Sequence, residues 1–281
     1  MRYFRTLQNC LLKWEGNKTS KTDRKDYRQI CRIAYEDNEV FNSFKRNKDY
    51  RKVLEHVSEK QGQAYLKIIK KEGKNLLRFF EKFKENDIYG SPIKYTYDVG
   101  RFSPTTLRYV KVLCDLKNIF GDLSAFKIIE IGGGYGGQCK IISDAFGFKS
   151  YTIVDLMEVL LLVNKYLERL KVKNFNCVTQ DQLSDKTKYD LIISNYAFSE
   201  CVKRVQDEYI NKILNKTKRG YITYNYDSDK STLASPMTPY NRKEVVRILS
   251  QKHALLIINE RPKTGPVNFI IVWDDTGRFK K

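Results

Sequence analysis

Residues 127–155, KIIEIGGGYGGQCKIISDAFGFKSYTIVD, constrain the fold more than any other part of this 281-residue chain. Ile128, Ile129 and Ile131 make a short apolar run of the kind buried in a parallel sheet. Gly132, Gly133, Gly134 and Gly136 follow at once. An amphipathic helical pattern comes next, then a second apolar run from Tyr151 to Val154 that ends in Asp155. Strand, glycine turn, helix, strand, acid is the first half of a nucleotide-binding βαβ unit.

The acid before the turn narrows the ligand. In a dinucleotide-binding turn the helix N-terminus faces a pyrophosphate. Glu130 would repel a pyrophosphate and attract a cationic amine. Glu130 with Gly132, Gly133, Gly134 and Gly136 therefore suits S-adenosylmethionine better than a nicotinamide dinucleotide, with the methionine end of the cofactor over the turn. Asp155, 25 positions after Glu130, is placed to accept bonds from both ribose hydroxyls, with Leu156 beside it.

Further strands are expected at Asn174 to Thr179, Tyr189 to Ser194, Gly220 to Asn225, Ala254 to Asn259 and Asn268 to Trp273, and a helix over Asn241 to Leu249. Asp181 and Gln182 follow the third strand and can read the adenine edge. Asn195 and Tyr196 follow the fourth and are expected at the methyl end of the cofactor. The last two strands are joined by a short reversal rich in Pro and Gly, which fits antiparallel pairing. The expected fold is α/β: a Rossmann-like, seven-stranded, mostly parallel sheet of the methyltransferase type.

Two segments carry a more specific resemblance. EIGGGYGGQ with YTIVDLMEVLLLVNKYL, and SNYAFSE at Ser194 to Glu200, resemble a family of sugar O-methyltransferases within the Rossmann-like S-adenosylmethionine-dependent enzymes. The resemblance runs from Tyr95 to Trp273. Met157 stands where the family pattern has proline, a conservative departure. The resemblance implies a sugar acceptor, nucleotide- or carrier-linked, in glycan or polysaccharide synthesis.

Residues 1–92 lack the βαβ rhythm and read as a helical cap that contacts the acceptor; residues 93–281 read as the cofactor-binding domain. Helical spacing is expected over Asp26 to Phe44, Tyr50 to Val57 and Ala64 to Phe83, and Ile93 to Phe102 reads as an aromatic linker. Ser103-Pro104 is a helix start, with Ser as cap and Pro in the first turn. Tyr95, Tyr97, Arg101 and Tyr240 are expected to shape the acceptor pocket, since rings stack on sugar faces and arginine holds phosphate. His56 lies beside an apolar stripe and reads as a surface or core-edge residue. His253 is expected at the far end of its strand.

A sugar hydroxyl needs a base. Glu200, after SNYAFS, is the first candidate by position; Asp227 and Glu260 are the others. The formal net charge is +19. Residues 1–90 carry 22 basic and 13 acidic side chains and the rest 30 and 20, so the excess is spread and no basic groove is marked. RNA methylation is therefore the second reading, and a non-catalytic binding subunit the third; no nucleic-acid partner is expected, and a homo-oligomer is allowed. Six scattered cysteines, without a C-x-x-C pair, and two histidines give no metal motif and suit reduced core thiols. No apolar run is long enough to span a bilayer, and the first sixteen residues lack a secretion signal. A cytoplasmic location is expected.

Overall fold

A computed structural model describes residues 19–227 and 238–277. The sixteen N-terminal residues read above for a secretion signal, and Cys10, lie outside the described residues. Among the described residues nine strands are present: β1 Tyr95–Tyr97, β2 Gly100–Phe102, β3 Lys127–Ile131, β4 Ser150–Val154, β5 Phe175–Val178, β6 Leu191–Asn195, β7 Arg219–Tyr224, β8 Leu255–Asn259 and β9 Phe269–Asp274. Seven form one sheet in the order β5-β4-β3-β6-β7-β9-β8. The pairs from β5 through β7 are parallel; β9 runs antiparallel to both β7 and β8. This is the Rossmann-like methyltransferase sheet that the sequence predicts.

Alternation along the strands splits the core in two. Ile128, Tyr151, Ile153, Leu191, Ile193 and Val272 pack in one apolar cluster. Ile129, Ile131, Val154, Ile192, Ile271 and Trp273 pack in the other. The first cluster also takes in Tyr27, Tyr50, Leu66, Ile69 and Phe83, so the N-terminal helices share it with the sheet. The helix Lys25–Glu36 packs on Met157–Arg169, and Glu59–Glu72 on Pro104–Phe120. The second cluster is covered by Lys203–Lys212 and Arg242–Ser250, through Val205, Tyr209, Val245 and Leu249.

Local signals explain where the helices begin. Ser103 Oγ accepts from Thr106 N at 3.1 Å, with Pro104 as the first helical residue. Asn241 and Glu244 form a reciprocal capping box at 2.8 and 2.9 Å.

Two expectations are corrected. The Ala64 to Phe83 pattern is not one helix: it stops at Glu72, passes through Gly73 into 3-10 turns over Lys74–Phe79, and resumes at Phe80–Phe83. Glycine costs about 1 kcal/mol inside a helix, and here it marks an end. Ile93 to Phe102 is not a linker but contains a β-hairpin, with Tyr95 opposite Phe102 and Tyr97 opposite Gly100. Among the described residues no helix is long and apolar enough to cross a membrane.

Candidate active site

The strand order reverses at β3, which has β4 on one side and β6 on the other. Ligands bind at such a switch point, outside the carboxyl ends of the strands. A cavity of about 1290 Å³ opens there. One wall is the sheet edge: Gly132 and Gly134 after β3, Asp155 and Leu156 after β4, Asp181 and Gln182 after β5, Asn195 at the end of β6, and Tyr196 and Glu200 after it. The opposite wall is helical and includes Tyr27, Leu54, His56, Gln61, Tyr65 and Arg108.

The turn requires glycine for two reasons. Gly132 and Gly134 have φ of +79° and +58°. A Cβ on Gly132 would lie 2.0 Å from Ala197 Cβ, and one on Gly134 would lie 2.7 Å from Leu54 Cδ1. The turn is thus clasped between the segment after β6 and a side chain of the helical wall. Gly133 and Gly136, expected to touch a ligand, do not line the cavity; Ile153 and Leu167 pack where their side chains would be.

The two acids that bracket this unit have different surroundings. Asp155 Oδ2 accepts from Gly134 N at 3.2 Å and Oδ1 from Leu156 N at 2.8 Å, which leaves acceptor capacity toward the cavity. Burial pushes its pKa up to about 6, against the backbone N–H bonds that hold it down. Glu130 lies beneath the turn instead. It is 2% exposed, does not line the cavity, and its Oε2 accepts from Tyr151 Oη at 2.9 Å. Burial raises its pKa to about 8, against the Tyr151 hydrogen bond that lowers it, which favours the neutral acid. The attraction to a cationic amine that the sequence suggested for Glu130 is absent from this arrangement.

Of the three proposed bases, only Glu200 reaches the cavity. Its Oε1 accepts from Asn225 Nδ2 at 3.1 Å, and burial raises its pKa. Glu260 is tied up. Its Oε2 accepts from Thr264 N at 2.8 Å, Thr264 Oγ1 at 2.7 Å and Asn268 Nδ2 at 2.9 Å, and its Oε1 accepts from Tyr196 Oη. It organises the loop that follows β8. Asp227 is exposed, away from the cavity, and its Oδ1 accepts from Arg242 N at 3.4 Å.

The expected acceptor residues are placed elsewhere. Tyr95, Tyr97 and Arg101 belong to the hairpin, and none lines the cavity. Tyr240 Oη donates to Asp207 Oδ1 at 2.8 Å, also away from it. His56, read as a surface or core-edge residue, does line the cavity; burial first, and then the charge of Arg108, lower its pKa. His253 precedes β8, at its far end as expected; it stacks on Trp273 at 4.7 Å and its Nδ1 lies 2.8 Å from Asp275.

Arg108, Gln61 and Tyr65 were missed. A signal existed for Arg108. Leu107, Tyr109, Val110, Val112, Leu113 and Leu116 make the helix Pro104–Phe120 apolar nearly all round, so a charge within that run has to be buried.

No family model matches the chain. Malonyl-[acyl-carrier protein] O-methyltransferase of Bacillus cereus is 29% identical over 87 residues, which cover 31% of this chain. The match spans about a third, 32%, of that relative's length. Among solved structures, similarity extends to a SAM dependent methyltransferase from Aquifex aeolicus, 16% identical over 59% of this chain and 88% of that one, with a TM-score of 0.44. It extends also to magnesium protoporphyrin IX methyltransferase from Synechocystis PCC 6803 with bound SAM, 15% identical over 59% and 76%, with a TM-score of 0.45. An rRNA methylase from Streptococcus thermophilus is 17% identical over 59% and 96%, with a TM-score of 0.43.

Proposed function

We propose that this chain transfers a methyl group from S-adenosylmethionine to a hydroxyl oxygen of a sugar, nucleotide- or carrier-linked. The observation that carries the cofactor is Asp155: a cavity-lining carboxylate at the end of β4, fixed by the N–H of the glycine turn, with lone pairs free for the hydroxyls of a ribose. Gly132 and Gly134 hold the methionine end, Asp181 and Gln182 the adenine edge, and Asn195 and Tyr196 border the methyl. When bound, the cofactor supplies an electrophilic methyl on a sulfonium.

The cavity is larger than the roughly 300–1,000 Å³ of a pocket for one drug-sized ligand, which supports a second occupant. The helical wall supplies rings and an amide, Tyr27, Tyr65 and Gln61, that suit a polyhydroxylated ring. Its side chains orient the acceptor hydroxyl toward the turn. In-line alignment then supplies much of the rate.

Glu200, whose carboxylate lines the cavity, would take the proton of the acceptor hydroxyl. Burial makes it a stronger base than an ordinary carboxylate, while the Asn225 bond steadies its ionised form. His56 is the weaker base, because burial and Arg108 lower its proton affinity.

The test is incubation with radiolabelled S-adenosylmethionine and a panel of nucleotide-linked sugars, an acyl-carrier thioester and a short RNA. The reading expects label in an alkali-stable O-methyl group on a sugar. Label in RNA, or in an alkali-labile ester, contradicts the sugar acceptor.

A further inference from the structure

Arg108 is an unbalanced charge on the helical wall. It is 8% exposed and lines the cavity. Its Nε has no hydrogen-bond partner, and among the described residues no ion pair includes it. The rings of Tyr109 and Tyr196 lie 5.5 and 6.0 Å from its guanidinium carbon and the Tyr109 side chain also meets it, which favours a cation but leaves its Nε unmet. Glu55 feels its charge without bonding to it: Glu55 Oε2 accepts from Thr105 Oγ1 at 2.9 Å, and Oε1 has no partner. Burying a guanidinium without a counter-charge costs several kcal/mol, so a buried arginine normally has a partner. Here the open side is the cavity. A separate void lined by both Arg108 and Asn195 measures about 10 Å³, room for one water at most and too small for an acceptor group.

A second residue points the same way. Asn195, at the end of β6, lines the same cavity, and both its Oδ1 and its Nδ2 are buried without partners. Unmet polar groups on both walls mark a place built for a polar ligand. A guanidinium fork matches two oxygens of one anionic group better than a single hydroxyl. The net charge of +19 draws anions toward the molecule.

We propose that Arg108 recognises an oxyanion carried by the acceptor, a phosphate or a carboxylate group, with Asn195 donating from the sheet edge. This rests on the methyl-transfer reading and adds to it the charge class of the acceptor. The residue expected from the sequence to hold a phosphate, Arg101, is exposed on the hairpin.

The experiment is calorimetry on the full chain saturated with S-adenosylhomocysteine, with uridine diphosphate and malonate as anionic probes and uridine as the uncharged control. One or both anions should bind and uridine should not; which anion binds separates the phosphate from the carboxylate source. Arg108→Gln should weaken the anion about tenfold or more, and Arg108→Lys less, with S-adenosylhomocysteine affinity held within about threefold. No anion binding to the saturated wild type overturns the proposal without recourse to any variant, and so does uridine binding as well as the diphosphate. If Arg108→Gln weakens S-adenosylhomocysteine and spares the anion, the guanidinium serves the cofactor's own carboxylate and the proposal falls. If S-adenosylhomocysteine itself does not bind the wild type, the methyl-transfer reading fails first and takes this inference with it.

Discussion

The sheet-edge wall and the helical wall of the cavity meet where Leu54 lies against Gly134, yet they are assembled by opposite means. The sheet edge places residues that follow four parallel strands, each a few positions beyond a strand end. The helical wall gathers Tyr27, His56, Tyr65 and Arg108 from three helices and a connecting segment, through packing contacts far apart in sequence. A cofactor common to many enzymes can be held by a repeated local motif. An acceptor peculiar to one enzyme needs a surface that can vary without disturbing the sheet, and helices packed on helices supply it.

The comparison can be broken from either side. The largest effect is expected at Glu200. Glu200→Gln should lower kcat by about 10²–10⁴-fold while S-adenosylhomocysteine affinity stays within a few-fold, measured by steady-state kinetics beside calorimetry. The rate should also rise with pH through the raised pKa of Glu200, because only the unprotonated carboxylate can take a proton. A variant that keeps its kcat would move the base to the helical wall, at His56.

Next comes Asp155→Ala, expected to cost about 100-fold or more in cofactor affinity, since two charge-assisted bonds are lost. In the wild type, affinity should fall as pH drops through about 6, where the Asp155 carboxylate gains its proton. Affinity that is flat across that range would mean that the carboxylate does not meet the ribose.

Leu54→Ala tests the junction of the walls. It should destabilise the protein by about 2 kcal/mol in urea unfolding and weaken the cofactor, because the turn loses the side chain that backs Gly134. Loss of stability with unchanged cofactor affinity would show that the two walls act independently.

A smaller effect on the cofactor is expected at Glu130. Its folded pKa of about 8 lies above the unfolded 4.5, so the folded state holds the proton. Stability from this group is greatest below pH 4.5 and declines as pH rises toward 8, by at most about 1.4 kcal/mol per pH unit. Glu130→Gln should remove that decline and leave cofactor affinity nearly unchanged. A large loss of affinity would restore Glu130 to the ligand. Arg101→Ala and Tyr95→Ala should have the least effect, within about 0.5 kcal/mol in stability and none on binding.

Several strands of the sheet were legible because they are short, largely continuous apolar runs, and period and length identify such runs without any knowledge of partners. β3, β6 and β9 were found to within a residue or two at each end. Asp155, Asp181 and Asn195 followed, because a strand end in a parallel sheet places the residues after it. Glu130 was misplaced for the same reason: the strand was found, but its alternation turns Glu130 beneath the turn toward Tyr151. Glu260 looked like a base at a strand end, yet the donors that occupy it come from residues 196–268, a grouping that only the folded loop creates. The hairpin β1–β2 escaped notice because three-residue strands carry too little alternation to register. Arg108 lies in a helix buried on nearly every side, so its charge pointed to burial but not to the cavity that it lines.

The measurement that bears most directly on this account is calorimetric titration of the purified protein with S-adenosylmethionine and S-adenosylhomocysteine, with Asp155→Ala as control. The account predicts saturable binding of one molecule per chain at micromolar concentration, abolished or weakened about 100-fold in the control. A folded protein that binds neither compound, or a control that binds as well as the wild type, would contradict the assignment of the sheet edge to this cofactor.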